Sequence, residues 1–409
     1  MRHFSLNERL LIIFKRKEAR LTVGQLADQL LMSKSNLSRI ENGKIMVSRE
    51  NEKLLEEQFS IDFSLGIHMV EAMDLKVDYL IKLLIFYRLF DDYSKDKLEA
   101  IDNKTRRSIA FPYYILVKMF IYTVKNMENK FVDKYFDIFN DLLPLLNKKY
   151  QKIFYITKMN RFYLNGQYEE AVMTSNFIEK EFEKDALLDS YLFHLKASVY
   201  GCLGLQDDVI SSVQKASDLA IITNNSARLL ALNITKANCE RLRENYLIAL
   251  EYDYESYNYA QDKNVHIYDY ALLRNIAWTN YLLGNYEEAI NYYKIAEQIN
   301  VDDDLCFLTA LCSYRLGLRK QCEEYLIKGR RAKNVGVAFP YLIDWMELTL
   351  NKRYSKRAEQ KLLYCLRKYE ETMHVESKKN IYRLLVEHYD YHNNFIEAEK
   401  YANKLKVIR

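Results

Sequence analysis

Residues 280–300 read NYLLGNYEEAINYYKIAEQIN, a short turn between two helical patterns. Tyr281 and Leu282 end the first pattern and Gly284 and Asn285 supply the turn. Tyr286, Ala289, Tyr293 and Ala296 then recur at spacings of three and four, which is one face of a helix, and the two alanines let a neighbouring helix approach closely. Related units centre on 162–171, 200–209, 241–250, 313–322, 350–359 and 392–401. Taking Gly166, Gly204, Glu244, Gly284 and Gly317 as equivalent gives steps of 38, 40, 40 and 33 residues. Helix pairs repeating at this interval stack on their neighbours rather than around one globular core, so the spacing predicts an α-solenoid.

Composition agrees with an all-α chain. Of 409 residues 49% are hydrophobic, and the only prolines are Pro112, Pro144 and Pro340, which leaves long helical stretches uninterrupted. Neither a secretion signal nor a membrane span is expected. The longest apolar run, 109–124, contains Pro112 and Lys118 and reads as a helix buried in the array. Six cysteines at irregular intervals read as small core residues of a reduced, cytoplasmic chain. Charge is unevenly placed. Residues 1–50 hold ten Lys/Arg against five Asp/Glu, a balance of +5, whereas the remaining 359 hold 50 against 51, a balance of −1. A basic head on a nearly neutral body suits contact with a phosphate backbone.

Within the head, Leu6, Leu10, Ile13 and Phe14 predict a first helix. Thr22, with Gln25 three residues on, forms a capping box for a second helix packing through Leu26, Ala27 and Leu30. Ser33 caps a third, which buries Leu37 and Ile40 and shows Lys34, Ser35, Asn36 and Arg39; Glu41, Asn42 and Gly43 close the unit. One helix supporting a second whose polar N-terminal half is free is the arrangement that enters a major groove. Leu54, Leu55 and Phe59 complete the head's core, and 60–66 is the expected hinge.

The stretch TVGQLADQLLMSKSNLSRIENGK, 22–44, resembles the helix-turn-helix of phage-repressor-like, or XRE-type, transcription regulators. The resemblance implies that Lys34, Ser35, Asn36 and Arg39 face the groove. It also implies that Glu41 pairs with a basic residue of the first helix, Arg16 first and Lys15 second. The family often has Gly in the interhelical turn, where this chain has Leu31, which need not violate the fold if its backbone avoids the left-handed conformation. By side-chain chemistry Arg39 suits a bidentate contact to guanine, Asn36 a contact to adenine, and Ser35 either a base or a phosphate. Lys34 and Lys44 suit phosphates. One small head makes few such contacts, so the body is expected to join two of them in a homodimer on an inverted repeat.

The chain therefore divides into a DNA-binding domain at 1–66, a degenerate helical region at 67–150, and a ligand-binding and dimerisation domain at 151–409. The last resembles tetratricopeptide repeats, whose typical length is about 34 residues. Six residues before each turn marker, at a position that often supplies a ligand-facing Asn in such repeats, stand Asn160, Ser198, Asn238 and Trp278. An Asn amide recognises an extended peptide backbone through one donor and one acceptor. Arg274, one helical turn before Trp278, suits a peptide carboxylate, and Trp278 suits an apolar side chain.

Head and array together resemble the peptide-pheromone-responsive regulators of Gram-positive bacteria, the Rgg, PlcR, PrgX and NprR group. The resemblance implies quorum sensing by a cytoplasmic homodimer that binds operator DNA and a short signalling peptide, with no membrane partner. Two alternatives remain: a DNA-binding regulator controlled by a protein partner, and a repeat adaptor that does not bind DNA. The seven histidines form no metal or nucleophile arrangement, and Asp302, Asp303 and Asp304 read as a solvated loop or helix cap, so neither enzyme chemistry nor metal nor cofactor is expected.

Overall fold

Each of the five turn markers adopts a left-handed backbone, with φ of 75° at Gly166, 74° at Gly204, 65° at Glu244, 84° at Gly284 and 73° at Gly317. The two later units do the same through Tyr354 at 51° and Asn393 at 54°. All of these turns except that at Tyr354, where Ser355 N–H donates to Lys352 O, share one hydrogen-bond pattern. After Gly284 the Asn285 N–H donates to Asn280 O at 2.9 Å, and Asn245, Leu318 and Asn394 repeat the bond to Glu240, Ser313 and Tyr389. This satisfies carbonyls that the helix end leaves open and sends the chain back antiparallel.

The computed structural model describes residues 1–66, 68–82, 103–125, 129–332, 337–370, 373 and 375–407. The fold is all-α, a helix-turn-helix head followed by tetratricopeptide-like helix pairs. The head comprises α1 (Leu6–Glu18), α2 (Val23–Gln29), α3 (Lys34–Glu41) and α4 (Arg49–Phe59). Next come α5 (His68–Lys82), α6 (Asn103–Arg107), α7 (Phe111–Val124), α8 (Asn129–Leu142), α9 (Lys148–Leu164), α10 (Tyr168–Glu181) and α11 (Ala186–Leu203). The array continues through α12 (Gln206–Ile222), α13 (Ser226–Leu242), α14 (Tyr246–Asp262), α15 (Asp269–Leu282), α16 (Tyr286–Glu297) and α17 (Asp303–Arg315). It ends with α18 (Arg319–Arg331), α19 (Phe339–Asn351), α20 (Lys356–Tyr369), α21 (Val375–Tyr391) and α22 (Phe395–Val407). Part of the degenerate helical region expected at 67–150, including 83–102, falls outside the described residues.

Two compact units emerge, Met1–Val199 and Tyr200–Arg409. In the first, the head is fastened to the helices that follow it. The Phe14 ring lies 5.7 Å from Phe111, 5.8 Å from Tyr135 and 5.6 Å from Phe139. Polar contacts surround this aromatic joint: Tyr135 donates to Glu18 at 2.7 Å, Tyr113 to Asn7 at 2.7 Å, and Lys17 pairs with Asp141 at 2.5 Å. The hinge expected at 60–66 is instead pinned. Ile61 and Phe63 are buried, the Phe63 ring packs 4.9 Å from Phe4, and Asp62 N–H donates to Arg107 O at 2.8 Å. Farther along this unit Lys152 is buried against Asp189 at 2.6 Å.

In the second unit a continuous core runs from Leu273 to Tyr401. The helix α17 is buried from Asp303 to Ser313. Asp302 caps it, accepting from Leu305 N–H at 2.8 Å, but Asp302, Asp303 and Asp304 are all buried rather than solvated. Cys239, Cys306, Cys312, Cys322 and Cys365 are buried core residues, while Cys202 is exposed. The apolar run at 109–124 forms α7, almost wholly buried, and no helix among the described residues is long and apolar enough to cross a membrane.

Candidate functional site

The second helix of the head, α2, begins with Thr22 and Gln25 bonded reciprocally, and α3 begins with Ser33 accepting from Asn36 N–H at 3.1 Å. Leu26, Ala27, Leu37 and Ile40 bury the shared face of the pair. At the far end of α3 the Arg16 guanidinium grips Glu41 with two bonds, 2.6 and 2.9 Å, and a third reaches Leu21 O at 3.0 Å. Arg16 is therefore the partner of Glu41, and Lys15 pairs instead with Glu18. Two charges buried together with their donors satisfied fix the tilt of α3 against α1. Gly43, at φ 68°, leaves room for Arg9, whose guanidinium would stand 2.9 Å from an added Cβ.

The interhelical turn departs from expectation. Leu31 takes the left-handed conformation, φ 53°, with its side chain 95% exposed. The connection needs that backbone, and α2 ends there through Met32 N–H bonding Ala27 O at 3.0 Å. A left-handed leucine costs about 1 kcal/mol relative to an unstrained residue.

Lys34, Ser35, Arg39 and Lys44 are exposed and Asn36 is half-buried. Among the described residues neither Lys34, Arg39 nor Lys44 has an ion-pair partner. Arg2 is spent internally on Glu8 and Glu52 and Arg16 on Glu41, whereas Arg9, Arg20, Arg49 and Lys53 also have no ion-pair partner among the described residues. Lys34, Arg39 and Lys44 thus place free positive charge on α3 and the loop after it, where it can meet phosphates and base edges.

The array residues meet different fates. In the first unit Asn160 is 4% exposed, and Ser198 is half-buried with its hydroxyl donating to His194 O at 3.1 Å. In the second unit Asn238 is exposed and accepts from Arg241. Arg274 is ion-paired with Asp304 and lies 5.4 Å over the Tyr270 ring. Trp278, 8% exposed, stacks on Tyr281 at 5.0 Å. No motif announced one buried polar cluster of the second unit. Arg241 and Asp253 are paired in the interior, Thr279 receives a bond from Arg241 at 2.9 Å, and Glu376 lies 3.7 Å from Arg241 Nε. These four residues come from α13, α14, α15 and α21, so only the fold brings them together. Burial pushes the Asp253 carboxyl up to about 6, against the pull of Arg241. Beside them Lys379 donates to Leu242 O at 2.8 Å and Arg383 to the Tyr246 hydroxyl at 3.2 Å, fastening α21 to the α13–α14 turn.

Residues 15–52 match a family model described as a helix-turn-helix domain. No curated protein matches the chain. Among solved structures it is similar to a Rap protein complexed with competence and sporulation factor, at 16% identity and TM-score 0.61, covering 83% of this chain and 98% of that one. It is also similar to NprR in complex with its cognate peptide NprX, at 15% identity and TM-score 0.55, covering 82% and 98%. At these identities the shared property is the fold. The expectation that enzyme chemistry is absent needs correction. Aspartyl phosphate phosphatase F from Bacillus subtilis aligns with 99% of this chain and 92% of its own at 15% identity and TM-score 0.46. That no catalytic arrangement is recognisable among the scattered histidines does not exclude catalysis.

Proposed function

We propose that this protein is a sequence-specific DNA-binding transcription regulator whose array binds a short signalling peptide inside the cell. The observation that carries the reading is the head: a doubly capped helix pair that matches a helix-turn-helix model and leaves Lys34 and Arg39 of α3 exposed and without ion-pair partners among the described residues. In this reading Arg39 and Asn36 contact bases, Ser35 a base or phosphate, and Lys34 and Lys44 phosphates. Residues 1–66 act as the DNA-reading domain, 67–150 as the connecting repeats and 151–409 as the ligand and dimer domain. Asn160, Ser198, Asn238, Arg274 and Trp278 are the candidate peptide residues, of which Asn238 has the most accessible amide.

Peptide partners come from likeness: the Rap structure is complexed with competence and sporulation factor, and NprR with its cognate peptide NprX. A peptide switches this protein only if it favours one arrangement of the array over another, since equal affinity for both shifts nothing. The joint of Phe14 with Tyr135 and Phe139 gives such a change a route to the head within the first unit. The test selects duplexes bound by the full chain from a random library, with and without a small-peptide extract of the source cell. Enrichment of one inverted repeat that responds to the extract is expected. No enrichment under either condition would leave the adaptor reading, and a response to candidate proteins but not peptides would favour a protein-controlled regulator.

A further inference from the structure

Along the turn edge of the second unit lies a cavity of about 460 Å3. Tyr314 and Arg315 at the end of α17, Arg319 at the start of α18, and Thr349, Leu350 and Arg353 around the end of α19 bound it. Its lining holds three guanidinium groups and no carboxylate. Each arginine is held by bonds that leave donors over. Arg315 uses Nε and Nη2 on Tyr281 and Glu387, the latter at 2.6 Å, and its Nη1 has no bond among the described residues. Arg319 commits Nε to Glu323 at 2.8 Å. Arg353 lies over the rings of Tyr354 and Tyr391, at 5.3 and 5.6 Å, and meets no carboxylate among the described residues.

Glu387 and Glu323 offset part of the charge of Arg315 and Arg319, but the donors these two leave over, with Arg353, leave the cavity rich in donors and short of acceptors. The local sequence adds to this imbalance. The helices α10, α12 and α16 open with Glu169 and Glu170, Asp207 and Asp208, and Glu287 and Glu288, whereas α18 opens with Arg319 and Lys320 and has no acid in its first turn. The volume falls in the range of small-molecule sites. Guanidinium forks match phosphate oxygens in pairs, and a phosphate can accept them from several directions with more than one negative charge. A peptide carboxylate offers one plane and one charge.

We propose that this cavity binds a small phosphorylated anion, held by Arg315, Arg319 and Arg353. The site is separate from the DNA-reading face and does not depend on it. Calorimetric titration of the full chain with inorganic pyrophosphate and ATP tests it, with acetate as the carboxylate probe. Arg319→Gln and Arg353→Gln change exposed side chains, and Arg367→Gln on α20 changes an exposed arginine outside the cavity. Saturable binding of a phosphate probe is expected, weakened by about tenfold in each of the first two variants and unchanged in the third. Absence of saturable phosphate binding, acetate bound equally well, or an equal loss in Arg367→Gln would overturn the proposal. So would loss of duplex DNA binding in step with pyrophosphate, which would assign the arginines to a nucleic acid instead.

Discussion

At Leu31 the backbone sits at φ 53° while the side chain touches almost nothing, so the residue contributes strain without packing. Leu31→Gly removes the left-handed penalty and adds the entropy that glycine loses on folding. The first term is at least as large, and a gain of up to about 0.5 kcal/mol in urea unfolding is expected, with α3 undisturbed. Arg39 and Lys44 divide in another way. Arg39→Ala should cost about 1–3 kcal/mol on the selected operator and relax specificity at one position. Lys44→Ala should weaken all duplexes alike and lower the salt slope by about one. Equal effects of both variants on scrambled and selected DNA would remove Arg39 from base reading. The Arg16–Glu41 pair was legible from the sequence because it belongs to a local motif with a fixed register. The burial of Asn160 and Trp278 was not, because counting back from a turn gives a place along a helix but not which neighbouring side chains cover it.

At the scale of elements, the turns were legible even where glycine was missing. Glu244 was aligned with four glycines by spacing alone and shares their left-handed backbone. The region 67–150 gave no such marker, and the joint between α1 and α8 joins residues more than a hundred apart, with no motif to pair them. Tyr135→Phe tests that joint, since it removes the bond to Glu18 and keeps the ring against Phe14. A loss of about 1 kcal/mol in stability is expected, together with a smaller peptide-induced change in operator affinity and unchanged peptide binding. A full peptide response in this variant would show that the bond carries no signal. In α21, His388 is buried against Tyr354, Tyr389 and His392 with Glu359 at 3.7 Å. Burial holds its pKa below the ordinary 6.5, with His392 adding to the effect and Glu359 opposing it. The folded state thus binds fewer protons than the unfolded one, and stability falls as pH drops below about 6.5, levelling off once pH passes the folded pKa. The fall in melting midpoint between about pH 7 and pH 5 should be smaller in His388→Gln. An identical fall would assign the pH dependence to other groups.

At the scale of the molecule, the pinned connection constrains how DNA can be read. With Ile61 and Phe63 buried, Phe63 packed on Phe4 and Asp62 bonded to Arg107, the head is held to the helices of its own unit. If the proposed dimer holds its heads rigidly, its two recognition helices should stand at a fixed separation and phase, about 34 Å or a multiple of it on one side of the duplex. Inserting about 5 base pairs between the half-sites turns one of them to the opposite side, and about 10 restores the phase at a longer distance. Heads on loose tethers would tolerate both insertions, whereas rigid heads should lose most affinity with the first and recover part of it only if the dimer can span the second. Footprinting of the full chain on the three spacings separates these cases. Equal protection on all of them would mean that the contacts around Phe63 open on DNA, and the route from array to head would then have to lie elsewhere.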